Sequence, residues 1–282
     1  GATHEVSTAS NMKVLIHSNQ YEAENSSGAV SITKTDATKF VYDRNQKRSW
    51  YQSSWRNGDS SDSSSNFYTT SKLPAISGDY TIDGWFRVSS SHSGTGFAFD
   101  TRDASNTADN PNFYLDGNDF YLDDFSANNI TVSNAYTDDT WHHFAFVRKA
   151  NGTFGLFKDG SQINVTNAYG TSGGVSFPSC TFKLGARYND AQPLLANFQD
   201  WRISSEDLTA SGKALAITSG TLGTSSCTFA VPTSAPVVDS NTVFLSRGNG
   251  MDFSDSATSG TIHTITPIGS YHSQAHGGIA PA

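Results

Sequence analysis

The run Thr140-Trp141-His142-His143-Phe144-Ala145-Phe146-Val147-Arg148 constrains this chain more than any other stretch. It is dense in aromatic and β-branched residues, holds no proline, and ends at Lys149-Ala150-Asn151-Gly152, where the chain must turn. A second aromatic run, Thr153-Phe154-Gly155-Leu156-Phe157-Lys158, follows and closes on Asp159-Gly160, a pair suited to the left-handed backbone angles of a tight hairpin. The two runs predict a β-meander.

The same grammar recurs along the chain. Tyr80 to Val88 alternates, with Tyr80, Ile82, Phe86 and Val88 on one face and Thr81, Asp83, Trp85 and Arg87 on the other. Asn112-Phe113-Tyr114-Leu115 and Phe120-Tyr121-Leu122 flank Asp116-Gly117-Asn118-Asp119, which predicts a hairpin. Only 36% of residues are hydrophobic, yet 18 Phe, 11 Tyr and 5 Trp raise the aromatic share to 12%, so the core must be built largely from rings between Ser, Gly, Asn and Asp turns. That is the composition of an all-β protein. One helix is expected, short, over Ser205 to Ile217, where Ser205 can cap and Leu208, Leu215 and Ala216 recur.

Five blocks in one order carry a family resemblance: Asp79 to Arg87, Thr140 to Arg148, Leu156 to Gly160, Lys183 to Ala186, and Asn197 to Ile203. Together they resemble the laminin-G-like jelly roll of the concanavalin-A-like lectin/glucanase superfamily. The resemblance implies an antiparallel two-sheet jelly-roll sandwich, and the fold hosts lectins, glycosidases, adhesion modules and structural pieces alike. The expected organisation is an N-terminal arm over 1–11, the jelly roll over 12–232, a linker over 233–241, and a tail over 242–282. In that tail Val243-Phe244-Leu245 and Thr261 to Thr266 echo Val14-Leu15-Ile16 and Ala29 to Thr33, so it reads as the start of a second repeat or as a tail that docks on a partner. Adding strands to a neighbouring copy is the favoured form of docking.

The formal charge of -8, from 18 basic and 26 acidic residues with no Lys/Arg run, argues against a nucleic-acid partner. No window approaches a membrane span of about 20 apolar residues, so no membrane insertion is expected. The first residue is Gly1 rather than Met, as in a processed product or one numbered from within a longer chain, and the compartment stays open.

The glucanase branch of the superfamily places Glu-x-Asp-x-x-Glu on one strand. That motif is absent here, and the glutamates are Glu5, Glu22, Glu24 and Glu206, so no enzyme is expected and a glycoside hydrolase is the weakest reading. His142 and His143 are adjacent and must face opposite ways on a strand, which prevents them from sharing a metal. Glycan binding, if present, is assigned to Trp50, Trp55 and Trp85, whose rings can stack on sugars; Trp85 can equally pack under a covering loop. Calcium is the cofactor that the resemblance suggests, at a loop holding Asp100, Asp103 and Asp109, with Asp123-Asp124 as further oxygen donors. Cys180 and Cys227 both precede Thr-Phe, compatible with a disulfide between neighbouring strands or with two thiols. The functional expectation is a non-enzymatic structural or adhesion module of a virus particle surface, whose partners are its own copies, other virion proteins and cell-surface glycans. It rests on a resemblance to the repeated laminin-G-like units of tailed-phage structural proteins; the alternative is a secreted, extracellular lectin.

Overall fold

Asp159 and Gly160 both adopt positive φ, 48° and 77°, and the flanking residues pair Lys158 with Ser161, which is the two-residue primed turn that the dipeptide demands. The computed structural model describes residues 15–16, 23–24, 42–43, 49, 54–56, 66–69, 72–102, 110–123, 129–133, 136–163, 176–189, 191–247 and 265–268. Contacts divide the chain into Gly1–Ala37 and Thr38–Ala282. In the first unit, β1 (Leu15–Ile16) pairs antiparallel with β2 (Ala23–Glu24).

The second unit is the expected all-β sandwich. Its seven-stranded sheet runs β10 (Asn129–Val132), β9 (Asp119–Asp123), β8 (Asn112–Asp116), β7 (Thr95–Asp100), β14 (Lys183–Leu184), β5 (Asn66–Thr69) and β19 (Ile265–Ile268). The ten-stranded sheet runs β16 (Ile217–Ser219), β17 (Thr228–Phe229), β13 (Ser161–Gln162), β12 (Phe154–Lys158), β11 (Trp141–Arg148), β6 (Tyr80–Val88), β15 (Ala196–Ser204), β4 (Ser54–Arg56) and β3 (Tyr42–Asp43), with β18 (Thr242–Ser246) also on β15. Neighbouring strands are antiparallel throughout both sheets.

Alternation decides what fills the space between the sheets. Tyr80, Ile82, Phe86 and Val88 are fully buried there, with Phe144, Phe146, Phe198 and Trp201 beside them and Phe99, Phe113, Phe120 and Leu122 from the other sheet. Phe113 stacks on Phe144 across the gap, centroids 4.2 Å apart. Each such side chain contributes about 1.5–3 kcal/mol by leaving water. A second apolar cluster, Ala145, Val147, Phe157, Leu208, Leu215, Leu222, Cys227 and Phe229, lies on the other face of the ten-stranded sheet, beneath the segment 205–229.

That segment corrects the expected helix. Its backbone bonds from Ala210 to Asp207, Lys213 to Ala210 and Ala216 to Lys213 are isolated turns, and Gly212 at φ +76 breaks any helical run. Asp207 Oδ1 also accepts from the Thr209 N–H and hydroxyl, a local bond that competes with a helix. The disulfide is corrected too: Cys180 and Cys227 are buried thiols. They sit in different clusters, Cys180 between the sheets and Cys227 on the far face of one of them.

The described strands of the tail also find partners at home. β18 pairs with β15, matching Leu245 to Arg202 and Phe244 to Ile203, while β19 pairs with β5, matching Thr266 to Tyr68. Phe244 and Leu245 are buried, so the exposed apolar strand that motivated docking on another copy is satisfied within the unit.

Gly160 gives a direct test of the turn. A Cβ there would lie 2.3 Å from the carbonyl oxygen of Phe229, whereas one on Gly117, at φ +58, would meet nothing within 4 Å. Gly160→Ala is expected to cost about 2–4 kcal/mol, from backbone strain plus a clash with fixed main chain, and Gly117→Ala only about 1 kcal/mol. Urea midpoints of the two variants measure the difference, and equal losses would show that the Phe229 contact carries no weight.

Candidate functional site

The β8–β9 hairpin is written as two near copies, Asn112-Phe113-Tyr114-Leu115-Asp116 and Asp119-Phe120-Tyr121-Leu122-Asp123, around Gly117-Asn118. A two-residue loop with positive φ at Gly117 pairs Asp116 with Asp119, and that register necessarily sets Tyr114 opposite Tyr121. Phe113, Leu115, Phe120 and Leu122 are driven into the core, so the tyrosines emerge half-buried on the opposite face. Their rings lie parallel within 2°, centroids 4.8 Å apart. A bulge in β7 between Phe97 and Phe99 brings Phe97 opposite Tyr114 at 5.0 Å, and Thr131 of β10 pairs with Tyr121 on the other side.

Parallel rings in contact keep their planes about 3.5 Å apart, so a centroid distance of 4.8 Å means an offset of about 3 Å. The rings overlap like tiles, and Phe97 stacks on the other side of Tyr114. Polar groups flank them. Asp119 and Asp123 lie two residues to either side of Tyr121 on the same face, Asp116 two residues beyond Tyr114, and the Thr95 hydroxyl donates to Asp116 Oδ1 at 3.2 Å. The Tyr114 hydroxyl is pushed up to about 12, by burial first and then by Asp123, Tyr121 and Asp116, with Arg102 opposing, so it stays protonated and can donate. Beyond Phe97 the charge reverses: the guanidinium groups of Arg102 and Arg187 lie 5.4 and 6.0 Å from its ring centroid and 4.9 and 5.2 Å from that of Tyr188. Partly buried rings, hydroxyl donors and carboxylate acceptors on one face of the sheet suit a polyol ligand.

The residues singled out in the sequence fall elsewhere. Trp85 is 4% exposed, set edge-on against His143 at 5.1 Å, so it packs and offers no ring face to a sugar. Trp50 and the side chain of Trp55 lie outside the described residues. Asp100 is fully buried and its oxygens are engaged by protein donors: Oδ1 accepts from the Arg102 N–H at 2.9 Å and from Arg102 Nε at 2.8 Å, and Oδ2 from the Tyr188 N–H at 2.9 Å. Its ion pair with Arg102 takes the remaining capacity. Asp103, Asp109 and Asp124 lie outside the described residues, among which no cluster of three metal-ligating side chains occurs. Asp123 stands on the tyrosine face.

The two histidines do face opposite ways. His142 Nδ1 lies 2.7 Å from Asp159 Oδ2, and His142 Nε2 accepts from the Thr137 N–H at 3.2 Å, which makes Nδ1 the protonated nitrogen. Asp159 is held below the usual carboxylate range: burial opposes this, but the His142 hydrogen bond and the His143 N–H outweigh it. His143 lies in a buried network with Asp83 and Arg202, its Nε2 3.5 Å from Asp83 Oδ2.

Tyr114 and Tyr121 were read in the sequence only as strand residues. The mirrored hairpin fixes their pairing, but no local feature says that these tyrosines stay partly exposed while Trp85 is buried.

A family model described as Laminin_G_3, concanavalin A-like lectin/glucanases superfamily, matches residues 59–212. No curated protein matches the chain. Among solved structures, a candidate carbohydrate-binding protein of Bacteroides ovatus ATCC 8483 is similar at 13% identity and a TM-score of 0.50, over 75% of this chain and 59% of that one. The chain thus spans well under two thirds of that protein. A heptameric SAP-like pentraxin of Limulus polyphemus aligns at 15% identity over 52% of this chain and 72% of its own, TM-score 0.41. The binding domain of botulinum neurotoxin DC aligns at 15% identity over 46% of this chain and 33% of its own, TM-score 0.36.

Proposed function

Because the chain belongs to the concanavalin A-like lectin/glucanase superfamily, whose model covers more than half of it, we propose that it is a non-catalytic carbohydrate-binding module that uses the Tyr114–Tyr121 strip. The half-buried, parallel tyrosine pair between carboxylates is the observation that carries this reading. The description of the Bacteroides ovatus protein as carbohydrate-binding agrees with it. Binding is favoured over hydrolysis because the sequence lacks the Glu-x-Asp-x-x-Glu strand of the glucanase branch.

An array of neutral oligosaccharides probed with the full chain tests the site. Tyr114→Ala and Tyr121→Ala are each expected to weaken binding at least about tenfold, the range of a truncated aromatic anchor. Stability should fall by only about 0.5–1.5 kcal/mol, the value of a ring pair at a half-exposed position. Trp85→Phe should leave affinity unchanged. Binding that survives in the double tyrosine variant would remove the strip from consideration.

Display of the module on a virus particle is the further proposal, supported by the repeat of the opening motif in the tail after a Pro/Thr linker, which resembles the repeated laminin-G-like units of tailed-phage structural proteins. Finding the chain as a stoichiometric component of purified virions is the expected result, and its recovery only as a secreted, particle-free protein would overturn that placement.

A further inference from the structure

The segment 205–229 covers the outer face of the ten-stranded sheet and is built differently from the sandwich beneath it. Its apolar anchors, Leu208, Leu215, Leu222, Cys227 and Phe229, pack on Ala145, Val147 and Phe157 of β11 and β12, in a cluster of described residues that shares no member with the one between the sheets. Alternation separates the two, since Phe144, Phe146 and Leu156 of the same strands point inward. Between its anchors the segment is exposed, at 210–214, 218–221 and 223–226. Its local backbone bonds, such as those from Thr224 to Thr221 and from Cys227 to Thr224, close single turns.

Two sets of contacts hold it down. Near its start the Thr81 hydroxyl donates to the Glu206 carbonyl at 2.8 Å and accepts from the Leu208 N–H at 3.1 Å, while Lys149 Nζ lies 2.9 Å from Asp207 Oδ2. Near its end the Gly223 N–H donates to Gln162 Oε1 at 3.0 Å, and the N–H groups of Gln162 and Phe229 donate to the carbonyls of Cys227 and Gly160 at 3.0 and 2.8 Å. We infer that residues 205–229 form a latched strap that opens as one unit while the sandwich stays closed, with the Lys149–Asp207 pair as its latch. An element held by a small separate cluster and few regular backbone bonds opens at lower free energy than the core it covers. Opening bares Ala145, Val147, Phe157 and the buried thiol of Cys227, whereas Cys180, buried between the sheets, is exposed only by unfolding. The strap and the tyrosine strip lie on different sheets, so this inference is independent of the carbohydrate reading.

The two thiols report the two events. The full chain is treated with an aromatic disulfide: the protein thiolate attacks one sulfur, a mixed disulfide forms, the other aryl thiolate leaves, and peptide mass identifies the modified cysteine. Where closing outruns this reaction, each rate divided by its value in the urea-unfolded chain gives the population of the state that exposes that thiol. Urea titration of tryptophan fluorescence measures global unfolding separately. Cys227 is expected to react from a population at least about tenfold above the unfolded one, and Cys180 from one equal to it. Ile82→Val, at a fully buried position between the sheets, should raise the unfolded population about threefold to tenfold and leave Cys227 labelling unchanged, because that core stays packed when the strap opens. Lys149→Met, which acts at the far end of the strap from Cys227, should speed Cys227 labelling about twofold to fivefold, the range of a partly exposed ion pair. Cys227 labelling that tracks the unfolded population, or that rises with it in Ile82→Val, would show strap and sandwich opening together and overturn the inference. Labelling indifferent to Lys149→Met would show fraying around Cys227 alone and overturn it equally.

Discussion

Arg202→Met is expected to cost about 3–5 kcal/mol of folding stability, because it leaves the carboxylate of Asp83 buried without its counter-ion. The two residues are cross-strand partners on β15 and β6. Arg202 Nε donates to Asp83 Oδ1 at 2.9 Å and Nη2 to Oδ2 at 3.0 Å, with the pair 4% and 2% exposed. A buried pair of this kind adds little over apolar side chains of similar size, since desolvation offsets most of the attraction. The double variant Asp83→Leu, Arg202→Met should therefore recover to within about 1–2 kcal/mol of the parent. Acid titration gives an independent reading. Burial alone would raise the Asp83 pKa, but the Arg202 charge and the hydrogen bonds from His143 and Arg202 hold it below the ordinary range. A carboxylate with a depressed folded-state pKa contributes stability that is complete above the unfolded value, about 3.9, and is lost as pH falls through the folded value. The parent should lose stability below about pH 4, and the double variant should show a flatter profile there. Urea titrations across pH measure both effects; a single variant that loses less than about 1 kcal/mol, or equal acid sensitivity in parent and double variant, would show that the pair does not govern the face.

What the sequence makes legible is what two-residue periodicity and turn chemistry decide. The faces of β6, the Asp159-Gly160 turn, the Tyr114 hairpin and the opposed histidines all follow from alternation and from residues that tolerate positive φ. The roles of Trp85 and Asp100 do not. Trp85 is closed in beside a network joining Asp83 to Arg202, 119 positions apart. Asp100 is occupied by a near neighbour, Arg102, but also by the backbone of Tyr188, 88 positions away. Neither partnership leaves a local signature, so from the sequence an acidic loop can be a calcium site or a solvated loop, and a lone Trp on a polar face can be a platform or a packed ring. The tail fails for the same reason: its apolar strands announce that they need partners, and only long-range register says that β15 and β5 supply them. The tyrosine strip stands between these cases, since its pairing is local and its partial exposure is a property of the whole sheet.

Trp201 should prove the most costly core residue to truncate, with Trp201→Ala losing about 3–5 kcal/mol. Its position is set by an irregularity. Asp200, at φ +55, lies in the bulge between Gln199 and Arg202 that turns the next side chain into the space between the sheets. There the indole meets Phe99, Phe144 and Phe198, with centroids 5.9 to 6.2 Å away, and its Nε1–H donates to the Trp85 carbonyl at 3.0 Å. Truncation removes that donor as well as the ring, so the loss combines a cavity with an unpaired carbonyl. Room for the indole comes from Gly84, where a Cβ would lie 2.6 Å from Trp201 Cδ2 and 2.7 Å from Cγ. This explains why the inward row of β6 passes from Ile82 to Phe86 with no side chain between. The two positions should therefore be coupled: Gly84→Ala alone costs about 1–3 kcal/mol through overpacking, but in the Trp201→Ala background the added methyl enters vacated space and costs much less. Chemical denaturation of the four proteins in the cycle measures the coupling, expected at about 1–2 kcal/mol; strictly additive losses would mean that Gly84 is required by its backbone and not by the indole packed against it.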